Sequence, residues 1–202
     1  MGALILAAGQ SVRFGADKRL ATLPRGRCML ETTIDAYTRV FDEVRVVLRR
    51  DDEEMARRLT LAFPAAGFPK LCMIASKRSG EGMGGSLADG IEACDDLSFL
   101  FVGLGDMPFV SVDTLAALRD EAAACRYAGT ILRPRYQGRP GHPVGFGRAL
   151  MERLRTEARG DEGARALLAG IDTVHWLDTD DPGVLRDVDN PSDITETRGC
   201  AP

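Results

Sequence analysis

Short apolar runs, each followed by a longer stretch of helical spacing, constrain this chain more than any other feature. The runs are Ala3–Ala7 (ALILA), Val44–Leu48 (VRVVL), Lys70–Ala75 (KLCMIA) and Ser98–Leu104 (SFLFVGL). Each is largely apolar throughout rather than strictly alternating, the pattern of strands covered on both faces. Between them, Met29–Val40, Glu53–Ala62 and Gly85–Cys94 carry apolar residues three and four apart, as amphipathic helices do. This alternation predicts right-handed βαβ crossovers and an α/β fold with a mostly parallel sheet and helices on both faces. Ligands of such sheets bind beyond the carboxyl ends of the strands, so the loops leaving the strands are where chemistry belongs.

The second half is less regular. Val112–Arg126 and Arg148–Glu157 read as helices, Gly129–Leu132 and Pro143–Phe146 as strands. A further helix is expected over Glu162–Ala169, with Asp161 as its N-cap. Val174–Leu177 and Val184–Val188 read as late strands before a short helix opened by Pro191. The 202 residues contain no repeat or low-complexity linker, so one domain over 1–202 is expected. A net charge of −4 offers no broad basic face and argues against a nucleic-acid partner. The five cysteines are scattered and form no C-x-x-C pair, which suits reduced thiols rather than a disulfide framework or zinc site. The opening apolar run is too short for a signal peptide and no stretch reaches membrane-spanning length. A cytoplasmic protein without a membrane partner is expected.

Four loops carry residues suited to chemistry. The first runs Ala7-Ala8-Gly9-Gln10-Ser11-Val12-Arg13-Phe14-Gly15-Ala16-Asp17-Lys18. Small residues at 7 to 9 let backbone N–H groups approach a phosphate, and Arg13 and Lys18 supply positive charge. The spacing is not that of a Walker A loop; a plain surface turn remains open on residue types alone. Gly105-Asp106-Met107-Pro108 puts a carboxylate at a strand's end, suited either to a hard cation or to a turn. Asp187-Val188-Asp189-Asn190-Pro191 supplies further carboxylates, which an extended strand would point to one side, while Asp189 or Asn190 could equally cap a helix. Gly138-Arg139-Pro140-Gly141-His142-Pro143 is a tight basic loop with one of two histidines, either structural or lining an anionic pocket. Asp178–Gly183 resembles a calcium loop, but Pro182 falls on a ligand position and the twelfth residue is Asp189, so that reading fails.

Gly80-x-Gly82-x-x-Gly85, followed by Asp106, matches a dinucleotide-binding fingerprint. Such a fingerprint turns straight from strand into glycine, yet Ser76 to Ser79 intervene here. An NAD-dependent oxidoreductase would also leave Arg13 and Lys18 without a role.

Taken in order, the motifs resemble the nucleotidyltransferases that activate molybdopterin. They are Leu6-Ala7-Ala8-Gly9-x-Ser11-x-Arg13-Phe14-Gly15-x-x-Lys18, Gly82-Met83-x-x-Ser86-Leu87, Gly105-Asp106-Met107-Pro108, Gly141-His142-Pro143-Val144, Gly160-Asp161-x-Gly163-Ala164-Arg165 and Asp187-Val188-Asp189-x-Pro191-x-Asp193. Ala8 and the Gly-His-Pro motif resemble the molybdenum cofactor cytidylyltransferase branch. The resemblance implies a Rossmann-like fold, with a nucleotide-binding part over about 1–110 and an acceptor-binding part over about 111–197. It implies transfer of CMP from CTP to the terminal phosphate of the molybdenum cofactor, releasing pyrophosphate. On that resemblance Ala7, Ala8, Gly9, Arg13 and Lys18 meet the triphosphate, and Gly82 and Ser86 meet the nucleoside. Asp106 and Asp189 hold Mg²⁺, for which Mn²⁺ can substitute, and His142 and Arg165 face the pterin. Lys18, Arg13 and Asp106 are the expected catalytic residues, and a molybdoenzyme or its chaperone is the expected transient partner. Guanylyl or sugar-phosphate transfer on the same fold, and a non-catalytic cofactor carrier, are the other readings to be separated.

Overall fold

β1 (Gly2–Leu6) lies inside the sheet, paired in parallel with β2 (Glu43–Arg49) on one side and β4 (Phe99–Leu104) on the other. The computed structural model describes residues 1–9, 14–24, 26–68, 70–124, 128–160, 163–171 and 174–195. Among these, eight strands form one sheet in the order β3-β2-β1-β4-β7-β5-β6, with β8 also paired to β5. β3 (Leu71–Ser76) extends the parallel half. β5 (Ile131–Tyr136), β6 (Arg139–Pro140), β7 (Val144–Gly147) and β8 (Val174–Asp178) form the second half, in which β7 runs antiparallel to both β4 and β5.

Right-handed crossovers decide which face each helix covers. α1 (Met29–Thr38) and α2 (Glu53–Ala62) step outward from β1 to β3 and pack on one face with α4 (Val112–Ala124). α3 (Met83–Glu92) carries the chain back from β3 to β4 and therefore lies on the opposite face, with α5 (Arg148–Glu157). Two cores result. Leu30, Ile34, Tyr37, Leu59 and Leu115 fill the first, and Leu4, Leu87, Ile91, Phe146 and Leu154 the second. β1 is covered by both, which is why ALIL reads as continuous apolar sequence.

Because the chain reverses between β1 and β4, their carboxyl ends form the switch point at which α/β sheets bind ligands. The two strands end level: Leu6 faces Leu104, and Gly105 N–H donates to Leu6 C=O at 2.9 Å.

Two expectations about strands need correction. Val184–Val188 is not a strand; Pro182–Leu185 forms a 3-10 turn with the Asp181 side chain accepting from Gly183 N–H. Pro182 has no N–H to give a ladder, and Asp181 captures the next one. β3 is not buried on both faces, since it lies at the sheet edge and exposes Cys72 and Ala75. The end of the expected helix at 125–126, and Asp161 and residue 162 at the start of another, lie outside the described residues; α6 is described over Arg165–Ala169. Pro191 does open a short helix, α7 (Pro191–Thr195). No helix among the described residues is long and apolar enough to cross a membrane.

Candidate active site

The loop after β1 and the loop after β4 share the wall of a cavity of about 490 Å³. Ala7, Ala8, Gly9, Lys18 and Asp106 line it from the strand ends, and Gly82, Met83 and Ser86 from the start of α3. Seven residues expected at a nucleotide site thus meet in one place: Ala7, Ala8, Gly9, Lys18, Gly82, Ser86 and Asp106. Arg13 lies outside the described residues.

Lys18 is the electrostatic centre. Its ammonium donates to Asp106 Oδ2 at 2.7 Å, to Asp189 Oδ1 at 3.0 Å and to the Val188 carbonyl at 3.1 Å. Burial pulls the Lys18 pKa down, but the hydrogen bonds and charges of Asp106 and Asp189 outweigh it and hold the ammonium above its ordinary range. The segment after the 3-10 turn arrives there because Val188 N–H donates to the Asp106 carbonyl at 2.9 Å. Its direction is kept by Asp193, whose carboxylate accepts from Asp189 N–H and Asn190 N–H at 2.9 and 2.7 Å. Asp187 is driven up by burial and by the charges of Asp189 and Asp106. Two carboxylates converging on one cation are hard oxygen donors of the kind Mg²⁺ and Mn²⁺ accept.

Beneath this centre lies a network the sequence did not reveal. Arg19, only 3% exposed, donates to the Ala7 carbonyl at 2.9 Å and pairs with both Asp17 and Asp52. Arg49 bonds the same two carboxylates, at 2.9 and 3.1 Å. The first loop is therefore tied to the end of β2, which fixes the carbonyl at the exit of β1. A cation next to Lys18 with an acid two residues earlier was the available signal, but its second partner, Asp52, is 33 residues away.

The loop leading into α3 is closely packed despite its glycines. Gly82 has φ of 90°, which a side chain would strain, and it turns the chain into α3. A Cβ at Gly84 would lie 2.5 Å from the Arg159 nitrogen, so the helix start packs directly on another backbone. Asp89 of α3 holds the preceding turn, accepting from Ser76 Oγ and from Arg78 N–H and Nε.

His142 and Arg165 are not brought into this cavity wall. His142 precedes β7, whose amino end lies at the carboxyl end of β4, and its N–H donates to the Val184 carbonyl at 2.8 Å. Arg165 is exposed at the start of α6, two residues past Gly163, which packs against Met83.

The sequence profile of the MobA-like NTP transferase domain matches residues 3–176. The chain belongs to the MobA-like NTP transferase family. A relative from Chloroflexus aggregans, named as a probable molybdenum cofactor guanylyltransferase, is 29% identical over 187 residues, 88% of this chain and 79% of the relative. The crystal structure of Rv0371c from Mycobacterium tuberculosis H37Rv superposes with a TM-score of 0.77 at 25% identity, covering 100% of this chain and 99% of that one. A second crystal structure of Rv0371c, in complex with manganese, gives 0.70 at 25% identity, covering 96% and 95%. As a MobA-like NTP transferase, the chain is a nucleotidyltransferase with a Rossmann-like fold, and the dinucleotide-oxidoreductase reading of Gly80–Gly85 falls away.

Proposed function

We propose that this MobA-like NTP transferase moves CMP from CTP to the terminal phosphate of the molybdenum cofactor, releasing pyrophosphate. The observation that carries the transfer reading is Lys18 held between Asp106 and Asp189 at the mouth of the cavity. The attacking group is already a phosphate anion, so no strong general base is needed. Rate then comes from aligning attacking and leaving oxygens and from stabilising charge on the transferred phosphoryl.

In this reading Gly9 and its neighbours bring backbone N–H groups to the triphosphate, while Lys18, with Arg13, neutralises its charge. Asp106 and Asp189 would hold Mg²⁺ or Mn²⁺, which would supply positive charge against the triphosphate. No cluster of three potential ligand side chains forms among the described residues, so Asp106 and Asp189 are the two side chains this reading offers the ion. The manganese of the Rv0371c structure supports a divalent ion. Gly82 and Ser86 meet the ribose and base. His142 and Arg165 face the acceptor, and a molybdoenzyme or its chaperone takes up the product.

Cytidylyl specificity is supported by the resemblance of Ala8 and of Gly141-His142-Pro143 to the cytidylyltransferase branch. The Chloroflexus relative favours GTP as the second reading. The test is pyrophosphate release with each NTP, molybdenum cofactor and Mg²⁺ or Mn²⁺. CTP is expected to give the highest kcat/KM, and Ala8→Gly to raise the GTP rate. A wild-type preference for GTP overturns the cytidylyl assignment, and no release with any NTP overturns the transfer reading.

A further inference from the structure

One strand beyond the nucleotide cavity, a half-buried arginine without a carboxylate lies near a buried histidine nitrogen without a hydrogen-bond partner. Arg133 lies on β5 and donates from Nε to the Gly141 carbonyl at 2.8 Å. Among the described residues its guanidinium forms no ion pair, and burial holds it below the usual arginine range. Arg19, Arg45, Arg49, Arg78 and Arg135, by contrast, each hold at least one carboxylate. His142 is the second group: its Nδ1 is buried and has no hydrogen-bond partner. Burial and the neighbouring Arg133 charge push its pKa down to about 4, so the ring is neutral.

The sheet places the pair beside the cavity. Val102 faces Val144 in antiparallel register, so two residues further His142 comes opposite Leu104, a residue of the cavity wall. Leu132 faces Gly145, so Arg133 lies beside Val144. Strand alternation puts Arg133 on the face of Ile131, the one covered by α3 and α5. The loop between them is held in place, since a Cβ at Gly141 would lie 2.7 Å from Val184. A half-buried fork without a carboxylate among the described residues, near a neutral imidazole whose Nδ1 lacks a partner, offers donors of the kind a tetrahedral oxyanion accepts. Such an anion would accept from the guanidinium through two oxygens and from the Nδ1–H tautomer of His142 through a third.

We propose that Arg133 and His142 form an anion subsite, one strand beyond the nucleotide cavity, that takes the phosphate monoester of the acceptor. Assignment to the acceptor rests on the transferase reading above; the anion site itself does not. The same chemistry could be met by the leaving pyrophosphate, so the test has separate arms.

The chain has two histidines, so the His142 ring is resolved by NMR. Titrating inorganic phosphate into the nucleotide-free protein should shift the His142 resonances saturably, and Arg133→Met should abolish the shift. In steady-state transfer, Arg133→Met should raise the acceptor KM about tenfold or more and leave the NTP KM unchanged. Arg133→Lys keeps the charge but loses the fork, and should raise the acceptor KM at wild-type thermal stability, so a poorly folding Arg133→Met does not decide the outcome. An unchanged His142 response in both variants overturns the subsite even if transfer is intact. A weakened pyrophosphate affinity with unchanged acceptor KM overturns its assignment to the acceptor. A phosphate response that depends on Arg133 in a protein without transfer activity supports the subsite while the transferase reading fails.

Discussion

At the exit of β1, Arg19 is buried with two carboxylates and a carbonyl around its guanidinium, whereas on β5 Arg133 is half-buried with one carbonyl. The first arginine is complete within the chain and acts as scaffold, fixing the loop that carries Lys18. The second is half-buried and meets no carboxylate among the described residues, which is the contrast from which the anion subsite is inferred. Lys18 falls between these cases. It is paired, but with two carboxylates that are themselves suited to a cation, so under the proposed function its pairing would be exchanged on substrate binding. Identical chemistry in the side chain thus separates into structural and functional roles by what surrounds it.

The largest expected effect comes from breaking the complete network. Arg19→Ala leaves Asp17 and Asp52 facing only Arg49, and should cost about 3–5 kcal/mol of stability by urea unfolding. If Arg133→Met costs as much, the distinction between the two arginines is lost.

Acidification tests the other side of the comparison. His142 stays neutral in the fold down to about pH 4, whereas its ordinary pKa is 6.5, so the unfolded chain binds the proton first as pH falls. Stability from this group is therefore present above pH 6.5 and drains away as pH drops toward 4, by up to about 3 kcal/mol. His142→Gln should flatten that part of the pH–stability curve, and a curve unchanged by the substitution contradicts the burial of a neutral ring beside Arg133.

A smaller loss is expected at the start of α3. Gly84→Ala drives a methyl into the Arg159 backbone and should cost about 1–3 kcal/mol, measured as a lower Tm. A neutral substitution there would mean that the start of α3 yields easily and does not define the cavity.

Much of the parallel half was legible in sequence because β1, β2 and β4 are covered by helices and advertise themselves as apolar runs. The edge strands β3 and β8 were also read close to their bounds, but β3 exposes Cys72 and Ala75 where cover on both faces was expected, and Val184–Val188 imitates a strand although Pro182 and Asp181 bend it into a 3-10 turn. The cavity residues were legible because each sits in a short local motif. Their convergence was not local at all, since Lys18 reaches Asp106 across 88 positions and Asp189 across 171. Arg19 and Arg133 were missed for a shared reason. The presence or absence of a distant carboxylate gives each its meaning, and neither carries a local signature.

Acceptor-dependent pyrophosphate release by Lys18→Ala, beside the wild type, tests the central claim most directly. Loss of the ammonium that sits between Asp106 and Asp189 should lower kcat by about 10²–10³-fold, with the protein still folded. Release at the wild-type rate would contradict the placement of nucleotidyl transfer at this cavity.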